Sequence, residues 1–266
     1  MLILILIETL LISSIVFLYL KKRIKIHIRH LYTDNIYIIA GTFILGYLIF
    51  TRFGIIDAVL LIPFIILTLL FINILWRFLR DPLRKNVSSK NEVISPADGQ
   101  VIYINEINGN STPISVKKGK ISKLEEITKT DILSEPCYII GIVMTLFDVH
   151  VNRAPIDGII ELNKYTKGKF ESLKSYKSDT ENERNTIVIN HLGERFCVVQ
   201  IASKGVRRII SFVKEGQEIK KGQKVGRITM GSQVDIIIPR RYKVNVKIGQ
   251  QIFAGKSIIA KNENIN

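Results

Sequence analysis

Residues 213–225 read VKEGQEIKKGQKV, and residues 246–258 read VKIGQQIFAGKSI. The two segments share the frame V-K-x-G-Q-x-I-x-x-G at an offset of 33 residues. Glycines spaced by six and flanked by β-branched residues suit two tight turns joining short strands, because glycine accepts the backbone angles that such turns require. The same texture runs outward from the repeat. From residue 86 onward, short runs rich in Val, Ile, Phe and Tyr alternate with Gly, Pro, Asn and Lys. VISPADGQVIYI (93–104), CYIIGIVMTL (137–146), NTIVIN (185–190), RFCVVQIA (195–202), RRIISFV (207–213) and VDIIIP (234–239) all read as strands, and INHLGE (189–194) as a hairpin turn. A short helix around 123–130 is the one helical expectation in this region.

The fold class that follows is mainly β. The repeated frame resembles the hairpins of biotinyl/lipoyl-type sandwiched barrels, which implies a barrel-like soluble domain gripping the segment between the two copies. Two polar stretches, 105–136 and 163–185, interrupt the strands. The second carries Lys164, Lys167, Lys169, Lys174 and Lys177. It reads either as a solvated loop or as a basic loop facing an anionic membrane.

The N-terminal third differs sharply. Residues 1–20, 36–50 and 54–76 are apolar runs, and a membrane span needs about 20 such residues. A signal peptide carries its basic residues before the apolar run; here Lys21, Lys22, Arg23, Lys25 and Arg29 follow it, so an uncleaved anchor is expected. Arg77, Arg80, Arg84 and Lys85 follow the third run, and only Arg52 lies between the second and third. Three spans put both basic clusters on one side, which the positive-inside rule makes cytoplasmic. An interfacial first helix with a two-helix hairpin gives the same orientation. Glu8 and Asp57 sit near run ends and read as interfacial. The organisation expected is an anchor over 1–85 with two to three transmembrane helices, and a soluble domain over 86–266.

The formal net charge of +15 suits an anionic membrane surface, and no zinc-like or RNA-binding signature argues for nucleic acid. Cys137 and Cys197 each lie in an apolar run and read as buried free thiols rather than a disulfide framework.

Three short segments carry candidate chemistry. In ITMGSQVDIIIP (228–239), glycine at 231 leaves its carbonyl open to attack by the Ser232 hydroxyl. No G-x-S-x-G elbow is present, which speaks against an α/β-hydrolase. In FDVHVNRAP (147–155), His150 follows a long apolar run and can move a proton near neutral pH. In SPADG (95–99), Asp98 either caps its own turn or, if buried, holds a histidine ring. His191 belongs to the hairpin turn and is set aside.

Taken together, V-x-SPADG-x-V, FDVH-x-N-R-A-P-x-D-G, NERN (182–185), Q-I-A…RRI (200–209), V-K-E-G-x-x-I-x-x-G and GS-x-V-D-x-x-x-P resemble the shorter, archaeal and bacterial branch of the phosphatidylserine decarboxylase family. W-R-F-x-R-D-P (76–82) resembles that family's segment after the anchor. The resemblance covers about 76–259. It implies self-cleavage at Gly231-Ser232 into a β chain, 1–231, and an α chain, 232–266, with Ser232 becoming a pyruvoyl cofactor that forms a Schiff base with the substrate. It implies that Asp98 serves processing and that His150 handles the proton in decarboxylation. The expected substrate is an anionic phospholipid, phosphatidylserine or archaetidylserine, at the cell membrane, and a homo-oligomer is compatible with this. Pyruvoyl chemistry calls for no metal, and the sequence holds no Cys/His cluster of zinc spacing.

One position departs from the family. The longer branch has a second histidine where this chain has Arg153, and arginine cannot act as an ordinary base. Either His150 serves both steps or this branch processes without that histidine. Gln233 replaces a small hydroxyl residue, with no evident chemical demand on it. Arg153, Arg207 and Arg208 are phosphate-binding candidates by charge alone, and a solvated or structural role suits each at least as well. Two other readings remain: a membrane-anchored, lipoyl-like adaptor without catalysis, and a family member that does not self-cleave or acts on another amino-acid derivative.

Overall fold

The computed structural model describes residues 1–24, 26–85, 88–108, 114–117, 120–122, 124–130, 136–169, 171–173, 178–203, 208–229 and 232–263. The chain forms two compact units, Met1–Arg80 and Asp81–Asn266.

The first unit is three helices: α1 (Leu2–Ile24), α2 (Ile28–Phe53) and α3 (Ile55–Leu79), each long and apolar enough to cross a membrane. Helix α3 buries Ala58, Ile62, Ile66 and Leu70 on one stripe, yet Ile56, Leu60, Phe64, Leu67 and Phe71 on its other faces are equally apolar and exposed. A helix that is apolar all round is not built to face water. Helix α2 begins well before the apolar run at 36–50. The polar residues ahead of that run are helical because the bundle satisfies them. Asp34 accepts from Arg77 and from His30 Nδ1 at 3.1 Å, and Asn35 Oδ1 accepts from Ser13 Oγ at 2.5 Å. Gly54, at φ 113°, closes α2 and opens α3 in a single residue.

The second unit is mainly β. Its elements in order are β1 (Glu92–Ile94), β2 (Gly99–Ile107), β3 (Ile114–Lys117), β4 (Lys120–Ser122), α4 (Leu124–Thr128), β5 (Cys137–Val143), β6 (Val151–Arg153), β7 (Gly158–Thr166) and α5 (Ser178–Glu181). There follow β8 (Arg184–His191), β9 (Glu194–Ala202), β10 (Arg208–Ser211), β11 (Glu218–Ile219), β12 (Lys224–Thr229), β13 (Ser232–Pro239), β14 (Tyr242–Val244), β15 (Gln251–Ile252) and β16 (Ile258–Asn262). An antiparallel, curled half-barrel sheet of eight strands runs β11-β7-β8-β9-β13-β5-β2-β15. Two three-stranded sheets, β10-β12-β6 and β1-β16-β14, accompany it. Strand β13 lies in its middle, and every one of its residues is buried. Val234, Ile236 and Ile238 join one apolar cluster, while Ile237 joins the other with Cys137 and Cys197. This is the two-residue period of a strand covered on both faces. Both cysteines are free and buried, and burial pushes the Cys137 thiol up to about 12.

The strand order is symmetric about the β9–β13 pair, and the hydrogen bonds repeat that symmetry. Gly216 N–H donates to Ile160 O and Gly249 N–H to Val101 O, both at 2.8 Å. Gly222 N–H donates to Ala154 O at 2.8 Å and Gly255 N–H to Ser95 O at 2.9 Å. All four turn glycines have positive φ, as the repeated frame predicts. The structure also exposes a second, shorter repeat. Each copy of the frame wraps a P-x-D-G turn, Pro96 to Gly99 in one half and Pro155 to Gly158 in the other. Asp98 Oδ1 accepts from Ala254 N–H, and Asp157 Oδ1 from Lys221 N–H, both at 2.8 Å.

Gly99 (φ 145°) and Gly158 (φ 158°) occupy equivalent places, and a Cβ on either would lie 2.3 Å from a backbone carbonyl oxygen, Val143 O or Asn190 O. Gly99→Ala and Gly158→Ala should each cost on the order of 2–4 kcal/mol, since backbone cannot yield as a side-chain tip would. Gly249→Ala, with open space around it, should cost only about 1 kcal/mol. Urea unfolding of the three variants in detergent checks the ranking; equal midpoints would contradict it.

Candidate functional site

Ser232 opens β13. Its strand partner is Ala202 on β9, and its carbonyl accepts from Met144 N–H at 2.9 Å, one residue past the end of β5. The side chain is wholly buried, and Oγ makes no hydrogen bond among the described residues. Gly231, the other half of the expected cleavage site, lies outside the described residues.

His150 sits immediately before β6. Its carbonyl accepts from Ile228 N–H at 3.2 Å on β12, the strand that leads into the 230–231 junction. His150 and Met144 therefore belong to one loop that touches the chain on both sides of that junction. The loop is itself held: Asp148 Oδ2 accepts from Thr145 N–H and Thr145 Oγ1, both at 2.8 Å, and Asp148 Oδ1 accepts from Gln251 Nε2 at 3.0 Å. His150 is 1% exposed. Its Nδ1–H donates to Asp148 O at 2.9 Å, which leaves the lone pair on Nε2. Burial pushes its pKa down to about 4; the Asp148 carbonyl opposes that shift, the Arg227 charge adds to it and Asp98 works against it. The resting imidazole is neutral, with Nε2 able to accept a proton.

Asp98 is 2% exposed and fully engaged. Arg84 grips it with both terminal nitrogens, Nη1 on Oδ1 and Nη2 on Oδ2 at 2.8 Å. Val149 N–H approaches Oδ2 at 3.4 Å, and Ala254 N–H takes Oδ1. The carboxylate thus caps the turn of the second repeat at Ala254 rather than its own turn, and reaches the His150 segment through the backbone one residue before the histidine. In sequence, Arg84 stands only as one of the basic residues flanking the anchor. Its charge is in fact nearly buried, spent on Asp98 and on Ala254 O at 2.6 Å.

Arg153 is likewise a clamp. Nη1 donates to Gly222 O at 2.9 Å, and Nη2 donates to Asp81 Oδ1 and Pro82 O, both at 3.1 Å. These contacts take up the charge that had made it a phosphate-binding candidate. Arg207 lies outside the described residues, and Arg208 is placed as the first residue of β10, opposite Thr229. Gln233 does have a function in the fold: its Nε2 donates to Asp235 Oδ1 at 2.8 Å and approaches the Tyr103 hydroxyl at 3.1 Å, solvating a carboxylate buried in the middle of the sheet.

A buried chain of amides also escaped the sequence reading. Gln200 Nε2 donates to Asn152 Oδ1 at 2.8 Å, Asn185 Nδ2 to Gln200 Oε1 at 3.2 Å and to Asn163 Oδ1 at 3.0 Å, and Asn163 Nδ2 to Ser211 Oγ at 3.0 Å. It ties β6, which follows His150, to the large sheet that carries Ser232. Its signal was available as polar residues inside apolar runs, VVQIA and ERNTIVIN. In the NERN segment fully buried Arg184 donates to Ile127 O at 2.5 Å, and just after it Thr186 Oγ1 donates to Thr128 O at 2.6 Å, pinning the last turn of α4.

Of the lysine-rich stretch, Lys167 and Lys169 line a cavity of about 520 Å³ with Lys129, Thr166, Glu181 and Asn182. Asn182 Nδ2 reaches Ala202 O at 2.9 Å, so this cavity shares the sheet rim with Ser232. Lys174 and Lys177 lie outside the described residues.

Residues 71–260 match the family model described as phosphatidylserine decarboxylase. A Methanocaldococcus jannaschii protein named as a candidate archaetidylserine decarboxylase proenzyme is 41% identical over 69% of this chain and 87% of its own length. The phosphatidylserine decarboxylase proenzyme of Cytophaga hutchinsonii is 33% identical over 86% of this chain and 96% of its own. That of Wolbachia pipientis is 38% identical over 69% and 73%.

The buried histidine makes stability depend on pH. Its folded value, about 4, lies below the ordinary 6.5, so the unfolded chain takes up the proton first. Stability is full above about 6.5 and is lost as pH falls toward 4, by on the order of 3 kcal/mol. Urea unfolding of the Ser232→Ala chain between pH 4 and 7.5 should show this loss, and adding His150→Gln should flatten it. Equal slopes for the two would contradict the assignment.

Proposed function

The chain belongs to the phosphatidylserine decarboxylase family, and from that premise we propose that it converts phosphatidylserine, or its archaeol-based counterpart archaetidylserine, to the ethanolamine lipid with a pyruvoyl group made from its own Ser232. The observation that carries this reading is the Ser232 side chain: wholly buried, at the first residue of a clamped strand, with no hydrogen bond to Oγ among the described residues. A hydroxyl buried at that cost is available for attack on the carbonyl that precedes it.

In this reading Ser232 Oγ attacks the Gly231 carbonyl carbon, and the amide C–N bond breaks as the ester forms. Loss of the residue 232 Cα proton and cleavage of Cβ–Oγ free Gly231 as a carboxylate. Water then enters and ammonia leaves, so that residue 232 ends in a ketone. His150 Nε2 takes the hydroxyl proton and passes it to the departing nitrogen of residue 232 in the first step, and it gives a proton to the headgroup carbon during turnover. The pyruvoyl group supplies the electron sink for loss of CO2. Asp98 orders the turn and the segment that presents His150. With Arg153 engaged elsewhere, His150 serves both stages.

The two chains, 1–231 and 232–266, stay together because the second supplies β13, β14, β15 and β16, hydrogen-bonded into both halves. Residues 1–85 act as the anchor through two to three spans, and the catalytic domain, 86–266, lies on the cytoplasmic side, where the basic flanks belong. The paired turns are read as lipoyl-like hairpins of a sandwiched barrel. The lysine-lined cavity on the Ser232 rim supports a face turned toward an anionic bilayer.

Intact-mass spectra of the purified full chain beside Ser232→Ala test this. Two fragments meeting at 231/232, the second blocked at its N-terminus and both absent from the variant, are expected. The cleaved protein should release CO2 from vesicles of phosphatidylserine or archaetidylserine, and the variant should not. A single uncut mass from folded wild type would overturn the mechanism and restore the anchored adaptor.

A further inference from the structure

The pseudo-twofold symmetry separates what the P-x-D-G turn needs structurally from what only one copy possesses. In both halves the aspartate Oδ1 accepts the N–H preceding the second turn glycine, from Ala254 or Lys221, at 2.8 Å. That bond serves the fold. Asp157 stops there: it is half-buried and carries no ion pair among the described residues. Asp98 is buried and holds the Arg84 fork on both oxygens, with Val149 N–H on Oδ2. The symmetry is broken on the side that leads to His150.

Arg84 comes from a strap, residues 81–85, that follows α3 in the sequence and packs with the β unit. The strap is fastened twice more. Asp81 pairs with Arg153 at 3.1 Å and with Lys224, and Pro82 O accepts from Arg153 Nη2. Arg153 in turn holds the first repeat at Gly222 O, while Arg84 holds the second at Ala254 O. The strap therefore bridges the equivalent turns of both halves.

We propose that Arg84 is a positioning residue for self-cleavage: the docked strap sets the plane and the counter-charge of Asp98, and the chain matures only with the strap in place. This rests on the reading of self-cleavage at 231/232. A carboxylate this buried is oriented and has its charge paired by a bidentate cation such as this fork. Through Val149 N–H its orientation bears on the loop that presents His150. Arg84 touches no reacting atom; it acts through Asp98.

The test follows appearance of the 232–266 fragment by mass against time, in full chain made by cell-free synthesis with phospholipid vesicles. Arg84→Ala should cut at least about tenfold more slowly than wild type, the equivalent of one hydrogen bond to a charged group. Arg84→Lys, which restores charge but not the fork, should fall between them. Millimolar guanidinium chloride added to Arg84→Ala should raise its rate and leave wild type unchanged. Asp81→Asn, which loosens the strap but keeps Arg84, should slow cutting. Asp157→Asn, the equivalent residue without a fork, should cut at the wild-type rate. Wild type that never cuts would sink the proposed function itself. Wild type that cuts, with Arg84→Ala cutting equally fast, would overturn only the present proposal. If Arg84→Ala is slow because it misfolds, Arg84→Lys will be no faster and guanidinium will not help, and that too overturns it.

Discussion

A carboxylate only 2% exposed must be compensated from every side, and Asp98 draws that compensation from three distant parts of the chain. Arg84 supplies the charge, Ala254 N–H closes the turn of the second repeat, and Val149 N–H links it to the His150 loop. Losing one partner would leave a buried charge partly unpaired, which costs far more than an exposed pair could return. The strap, the repeat and the loop are thereby tied to one another.

The sheet gives this cluster a rigid frame. Strand β13 is hydrogen-bonded on both edges, to β5 and β9, and covered on both faces. Its first residue, Ser232, therefore has a fixed main chain on its C-terminal side. The same ladder would hold the downstream strands in place after the proposed break before residue 232.

The electrostatics of the His150 loop run toward a neutral imidazole. Burial works against the imidazolium, and Arg227 adds to that effect. The Asp148 carbonyl selects the tautomer with its lone pair on Nε2. The amide chain from Asn152 to Ser211 holds the small sheet beside the histidine against the large one without adding net charge. Neutral amides suit this place, because another formal charge would shift the imidazole or need its own counter-ion.

Much of this was legible locally. Long apolar runs have few alternatives to long helices, β-branched runs between Gly and Pro read as strands, and glycines six apart predicted four positive-φ turns. Ser232, His150 and Asp98 were each marked by their neighbours, and the structure buries all three. Local pattern failed where meaning depends on a partner far along the chain. Arg84 reads as one more cation beside an anchor until folding brings it to Ala254, 170 residues away. Arg153 is open in sequence to a phosphate-binding or a structural role until Asp81 and Gly222 claim it, and the P-x-D-G repeat is too short to notice until both copies are seen wrapped by equivalent turns. The amino-acid sequence by itself determined the helices, the strands, the turns and the three marked residues, because each follows from steric preference and hydrophobic period within a few positions. Which charges are buried, which oxygen each cation holds, and which of two equivalent aspartates has a guanidinium were decided only by tertiary structure, since desolvation and pairing are properties of packed neighbours.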